Sequence, residues 1–213
     1  MTILLSSANS TVVTRWAGLL SGHFETEKVQ SLDELKTLCA SRKFDAILLH
    51  RMLIDMPSFS GLINTSPAAR FFLLSDRPDE EDALLFLKLG IVGYGNTYIS
   101  SSLLTEALRV ITNGGVWLGQ KVIQRLILET LENAKEDDKK KDNVAFAMAK
   151  LTRAEHNIAE LVARGESNLE IAANLNITER TVKAHLTSIY TKTKTGNRLN
   201  LALLINLGQN PQS

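Results

Sequence analysis

The chain has a single cysteine, no excess of either charge, and no apolar run approaching the roughly 18 residues of a membrane span. Each absence removes a class of protein. Cys39 alone cannot close an internal disulfide, and no C-x-x-C clip is present to hold zinc. It falls in an apolar slot with Leu35 and Leu38, as a packing residue does. The 24 basic and 23 acidic residues leave a formal charge of +1, so any affinity for a polyanion must come from a local patch. The amino terminus opens in a strand-like TILLSS with no charged and apolar leader, so a soluble, cytoplasmic protein without a membrane role is expected. Internal repeats, metal-ligand clusters and glycine-rich phosphate loops are missing, and Gly114-Gly115 reads as a turn. Ser/His/Asp groupings at usable spacing are missing too. No catalytic residue, cofactor, metal site or enzymatic activity is therefore expected.

What is there is an alternation. Short apolar runs at residues 3–7, 24–29, 46–50 and 71–75, with a weaker one at 92–96, are separated by helical patterns at 10–20, 31–41, 79–89 and 101–112. Ser31 and Glu34 have the spacing of a capping box. Pro57, Gly61 and Pro67 predict that any helix within 52–69 is short or distorted. Such an order implies an α/β, flavodoxin-like fold, a doubly wound parallel sheet of five strands covered by helices on both faces. Ligands of such sheets sit beyond the carboxyl ends of the strands, where this chain has Ser6, Ser7, His50 and Ser75. Residues 135–142 hold four lysines and four acids with no apolar residue and read as a solvated linker or a frayed helix end. The expected division is a first domain at 1–131, a charged linker at 132–147 and an all-α domain at 148–213.

The second domain reads as short helices joined by tight turns. Thr152 with Glu155, and Ser167 with Glu170, are capping boxes, and Gly165 is a helix stop. Ile158, Leu161 and Val162 point inward on the first helix; Ile171, Ala172 and Leu175 do so on the second. Thr178 caps a third helix, in which Val182, Leu186 and Ile189 set the buried stripe. Its outward face then holds Thr181, Lys183, Ala184, Thr187 and Ser188. From Thr178 to Arg198 the charges are Arg180, Lys183, Lys192, Lys194 and Arg198 against Glu179, or 5 − 1 = +4. Such a patch attracts phosphates by counterion release. The short outward side chains let the helix backbone approach a groove, where Ala184 and the threonine methyls suit thymine and Lys183 suits guanine.

Residues 151–198 resemble the LuxR-type helix-turn-helix of the NarL/FixJ family of bacterial regulators. The match runs through Leu151-Thr152…Glu155, Gly165…Ser167-Asn168…Glu170-Ile171-Ala172…Leu175, Thr181-Val182-Lys183…His185, Ile189…Lys192 and Asn197-Arg198. The resemblance implies a helix-turn-helix over about 168–187 that binds double-stranded DNA. The DNA-facing residues would be Thr178, Arg180, Thr181, Lys183, Ala184, His185, Thr187, Lys192, Lys194 and Arg198. His185 lies between the buried stripe and that face, placed to bond backbone or phosphate. The resemblance also implies a homodimer paired through a last helix near 198–207, with Leu199, Ala202, Leu203 and Ile205; core packing within one protomer explains that stripe equally. Thr193 stands where the family usually has leucine, and Thr187 where some members have a base-reading lysine.

The first domain resembles the receiver domain of response regulators. Receivers use an aspartate after the third strand as phosphoryl acceptor, acids after the first strand to hold Mg²⁺, and a lysine after the fifth. Here Ser7 and Ala8 occupy the acidic pair, His50 the acceptor position and Thr97 the lysine position, while Ser75 keeps the hydroxyl. The expectation is an atypical receiver that works without aspartyl phosphorylation, with a partner protein or a small ligand as its input. His50 is expected to be an uncharged or surface-facing packing residue. A cyclic dinucleotide fits poorly, because Trp117-Leu118-Gly119-Gln120 lacks the arginine and hydroxyl that degenerate relatives use; Trp117 is then a packing residue. Two alternatives stay open: a phosphorylation-dependent regulator with Asp55 as displaced acceptor, and an interaction protein that titrates other regulators without binding DNA.

Overall fold

The computed structural model describes residues 1–66, 69–133 and 147–208. The chain divides into two compact units, Met1–Val122 and Ile123–Ser213.

The first unit is a five-stranded parallel sheet in the order β2-β1-β3-β4-β5, formed by Thr2–Ser6 (β1), Glu25–Val29 (β2), Ala46–His50 (β3), Phe71–Ser75 (β4) and Gly93–Asn96 (β5). β3 and β4 are buried at every residue, as central parallel strands covered on both faces must be. Helices Ser10–Leu20 (α1), Leu32–Ser41 (α2), Met56–Thr65 (α3), Glu80–Leu89 (α4) and Ser101–Thr112 (α5) connect them. Trp16, Leu20, Leu104, Leu108 and Ile111 form one core with Ile3, Leu5, Leu48 and Phe72. Phe59 meets the Phe71 ring edge-on and the Phe86 ring at a tilt, with centroids 5.2 and 5.3 Å apart. Gly93 is required where it stands: a Cβ there would meet the Phe72 ring at 2.7 Å and Ile111 at 2.9 Å.

Two elements differ from the sequence expectation. α3 is a regular ten-residue helix, preceded by a 3-10 turn at Arg51–Leu53. Pro57 lies in its first turn, where the missing N–H would have no helical partner, and the Asp55 carboxylate accepts from Ser58 N at 2.8 Å as the N-cap. Pro67 lies outside the described residues. The second difference is α6, Gln120–Asn133, which has no counterpart in the expected helices. It crosses the division between the units, so the first unit ends nearer 122 than 131. Val122 is buried, whereas Ile123, Ile127 and Leu128 are exposed. The charge-dense stretch 135–142 lies outside the described residues. Trp117 packs against the main core, and its backbone bonds Val92 O and Tyr94 N, both at 2.9 Å, along the edge of β5.

The second unit contains Arg153–Ala163 (α7), Asn168–Leu175 (α8), Glu179–Thr193 (α9) and Arg198–Gly208 (α10). Both capping boxes close reciprocally. Gly165 takes the left-handed conformation at φ 87° that ends α7, and Asn176 does the same at φ 53° after α8. Ile158, Val162, Ile171, Ala172, Val182, Leu186 and Ile189 are buried in a common core, with Leu161 and Leu175 packed against it. α10 adds Leu201 and Ile205 to that core, while Leu199, Ala202 and Leu203 are half-buried. The stripe expected to pair two protomers is thus divided: Ile205 serves its own protomer, and Leu201, not singled out in the sequence, joins it. Among the described residues no helix is long and apolar enough to cross a membrane.

Candidate nucleic-acid interface and the pocket at the strand ends

The buried stripe of α9 fixes what the helix shows outward. With Val182, Leu186 and Ile189 inside, the opposite line runs through Arg180, Ala184, Thr187 and Thr191 at i, i+4, i+7 and i+11. Arg180, Ala184 and Thr191 are exposed, and Thr187 is half-buried. Thr191 was missed in the sequence, although continuing the spacing from Arg180 by one more turn would have found it. Thr181, Lys183 and His185 flank this line and are half-buried. Thr178 caps the helix by accepting from Thr181 N at 3.2 Å, and the two hydroxyls lie 2.9 Å apart.

Ser188, expected on the outward face, and Lys192 and Arg198, expected to face DNA, are engaged within the unit. Ser188 Oγ donates to Glu155 Oε1 at 2.6 Å, so it faces α7. Lys192 Nζ donates to both oxygens of the same carboxylate, at 2.8 and 2.6 Å. Arg198 reaches Asn168 Oδ1 at 3.4 Å and the Glu166 carbonyl, tying the start of α10 to the loop before α8. Glu155 is 4% exposed and also accepts from Thr152 N and Oγ1. Burial would raise its pKa, but the bonds from Lys192, Ser188 and Thr152 outweigh burial and hold the carboxyl at about 2. One acidic side chain therefore caps α7 and anchors α9. Of the five cations in the +4 patch, Arg180, Lys183 and Lys194 make no ion pair among the described residues, and Arg180 and Lys194 are exposed.

In the first unit the strand ends bring together residues that sequence spacing keeps apart. Ser7 Oγ lies 2.8 Å from His50 Nδ1, and His50 Nε2 lies 3.1 Å from Asp76 Oδ1. His50 is buried at 3% exposure, which corrects the surface-facing alternative, and the Trp16 ring meets it edge-on at 6.1 Å. Partial burial would raise the Asp76 pKa, yet hydrogen bonding, that of His50 included, holds the carboxyl below its ordinary value. An ionised Asp76 only accepts, so Nε2–H donates to it, and in the neutral ring Nδ1 then accepts from the Ser7 hydroxyl. Ser7 Oγ in turn accepts from Asn9 N at 3.1 Å.

This Ser–His–Asp chain was absent from the sequence reading because its members are 43 and 26 residues apart. Ser7 is fully buried, and its hydroxyl is engaged by the ring. Of the other expected pocket residues, Ala8 is exposed in the loop, and Ser75 Oγ turns to Arg77 O at 3.0 Å. Thr97 is buried, with its carbonyl accepting from Trp16 Nε1 at 3.0 Å. These residues do not fit the Mg²⁺ of receiver chemistry, which prefers several carboxylate oxygens. Among the described residues no group of three His, Cys, Asp or Glu could hold a metal ion.

A doubly wound receiver-like sheet followed by a helix-turn-helix defines the response-regulator class of protein. Residues 149–205 match the bacterial regulatory proteins of the luxR family. The chain is 31% identical to the glycerol metabolism activator of Pseudomonas putida over 186 residues, covering 84% of this chain and 81% of the relative. It is 31% identical to the transcriptional regulatory protein DegU of Brevibacillus brevis over 167 residues, covering 72% and 70%. The fold matches a two-component response regulator of the LuxR family from Aurantimonas sp. SI85-9A1, with TM-score 0.54 and 16% identity over 61% of this chain and 97% of that one. It also matches the response regulator RcsB in a DNA complex, with TM-score 0.52 and 16% identity over 97% and 98%. The chain belongs to the NarL/FixJ family of response regulators, with a LuxR-type helix-turn-helix.

Proposed function

We propose that this protein is a cytoplasmic transcriptional regulator that reads duplex DNA through α9 as a homodimer, and that aspartyl phosphorylation does not switch it. The observation that carries the last point is the state of His50. It fills the acceptor position, is buried, and has both ring nitrogens engaged, by Ser7 and by Asp76. Acyl-phosphate chemistry needs a carboxylate nucleophile at the end of β3 and acids to hold a charge-neutralising cation, whereas the acceptor position holds His50 and Ser7 and Ala8 stand in place of the acidic pair. Asp55, the displaced alternative, is occupied as the N-cap of α3. The input would then be a partner protein or a small ligand.

DNA reading is supported by the exposed line Arg180–Ala184–Thr191 and by the fold shared with RcsB, a structure determined with DNA and also as dimers on DNA. Two experiments test the proposal. A phosphoryl donor with Mg²⁺ should leave the intact mass unchanged; a stoichiometric gain of about 80 Da, one phosphoryl group, refutes phosphorylation-independence. A mobility-shift titration should show binding that weakens with salt, and no binding at low salt refutes DNA reading.

A further inference from the structure

The outward line of α9 is poor in charge and rich in methyl groups. Thr187 Oγ1 donates to Lys183 O at 3.1 Å, and Thr191 Oγ1 donates to Thr187 O at 3.0 Å. A threonine hydroxyl has one proton and two lone pairs. With that proton bound to the helix's own carbonyl, neither side chain can donate to guanine N7 and O6, to adenine N7, or to thymine O4. What each still offers is a methyl group and an acceptor. Ala184, between Arg180 and Thr187 on the same line, offers only a methyl.

The major groove contains one base edge that suits this set. Thymine carries a C5-methyl group, and the adenine paired with it presents an N6 amino donor on the far side of thymine O4. A back-bonded threonine can place methyl against methyl while its free lone pair takes the amino hydrogen. A cytosine–guanine pair also has an amino donor and two acceptors but no methyl, so the methyl contact is what separates the two pairs. Lysine, with three donors and no acceptor, would select the opposite pair.

We propose that Thr187, with Ala184, is a specificity-determining residue that reads thymine C5-methyl groups in the major groove. It follows that the sites this protein selects carry thymine opposite the middle of α9. The inference rests on the reading in which α9 enters duplex DNA. Thr191 extends the same surface one turn further, and Lys183, on the flank, offers its ammonium to a neighbouring guanine.

The test uses the full chain and a duplex library randomised over about 20 base pairs, enough for two half-sites one helical turn apart. Duplexes retained at low salt are sequenced, and a selected one is remade with deoxyuridine in place of thymine, one position at a time. At the thymine facing Thr187, loss of the methyl should weaken binding about fourfold, the worth of one buried methyl group. Thr187→Val should keep that discrimination and Thr187→Ser should lose it, with circular dichroism verifying that both variants fold. Equal affinity for thymine and deoxyuridine at every position overturns the inference and leaves DNA reading intact. A serine variant that discriminates like the parent also overturns it, because the hydroxyl would then be the reader. A library from which no sequence is retained overturns the DNA-reading function itself.

Discussion

Lys192 Nζ stands 2.6 Å from Glu155 Oε2, joining the C-terminal half of α9 to the first turn of α7. The lysine side chain is 35% exposed and the carboxylate 5%. The pair thus has one desolvated member, and its loss falls mainly on the group left behind. Lys192→Ala should destabilise the second unit by about 3 kcal/mol, the scale for stranding a buried charge. Denaturant unfolding followed by helix signal measures this, and a cost below about 0.5 kcal/mol would show the pair to be incidental.

The same carboxylate sets an acid limit. Its ordinary value is 4.5, and the fold holds it at about 2, so the folded state binds this proton less readily than the unfolded chain does. Its contribution is complete above 4.5 and fades as the pH falls from there toward 2. Glu155→Gln should flatten the stability profile across that window. An unchanged profile would place the acid sensitivity elsewhere.

His50→Ala should destabilise the first unit by about 2–4 kcal/mol, since it opens a cavity and leaves the Ser7 hydroxyl without its acceptor. His50→Asp should also fail to restore phosphoryl acceptance, because Ser7 and Ala8 still offer no acids to a cation. Intact mass after donor treatment decides the second point, and thermal unfolding the first.

Asp55→Ala should cost about 1 kcal/mol, the value of an N-cap, and leave the affinity for DNA unchanged. A regulator that used Asp55 as its acceptor would instead lose a donor-dependent change in DNA affinity with this substitution. Mobility shift with and without donor separates the two.

Lys183 and Arg180 should behave differently on DNA. Lys183→Ala should cost about 1–3 kcal/mol on selected sites, as a base contact does, with a smaller loss on random duplex. Arg180→Ala should weaken both alike and reduce the salt slope by about one, as a phosphate contact does. Identical behaviour of the two variants would contradict this division.

Much of the molecule could be read along the chain. β3 and β4 were legible because a strand covered on both faces needs a continuous apolar run, and AILLH and FFLLS have one. The stripe Val182–Leu186–Ile189 and both capping boxes were legible because they depend on residues within two turns. α3 was misjudged because Pro57 is tolerated in a first turn, so its effect depends on where the helix starts. Asp55 marks that start only once its bond to Ser58 is seen. α6 was missed: only Val122, among its described apolar side chains, is buried, and Ile123, Ile127 and Leu128 stay exposed.

Periodicity and local caps were enough to set the elements, their order and the buried line of α9, since those depend on neighbours a few residues apart. Contacts between distant segments assigned the polar residues. Helix geometry alone left Ser188 and Lys192 free to face solvent, until α7 packed Glu155 beside them. Ser7, His50 and Asp76 became one hydrogen-bonded chain only when three parallel strands ended side by side, because burial forces polar groups far apart in the sequence to satisfy one another.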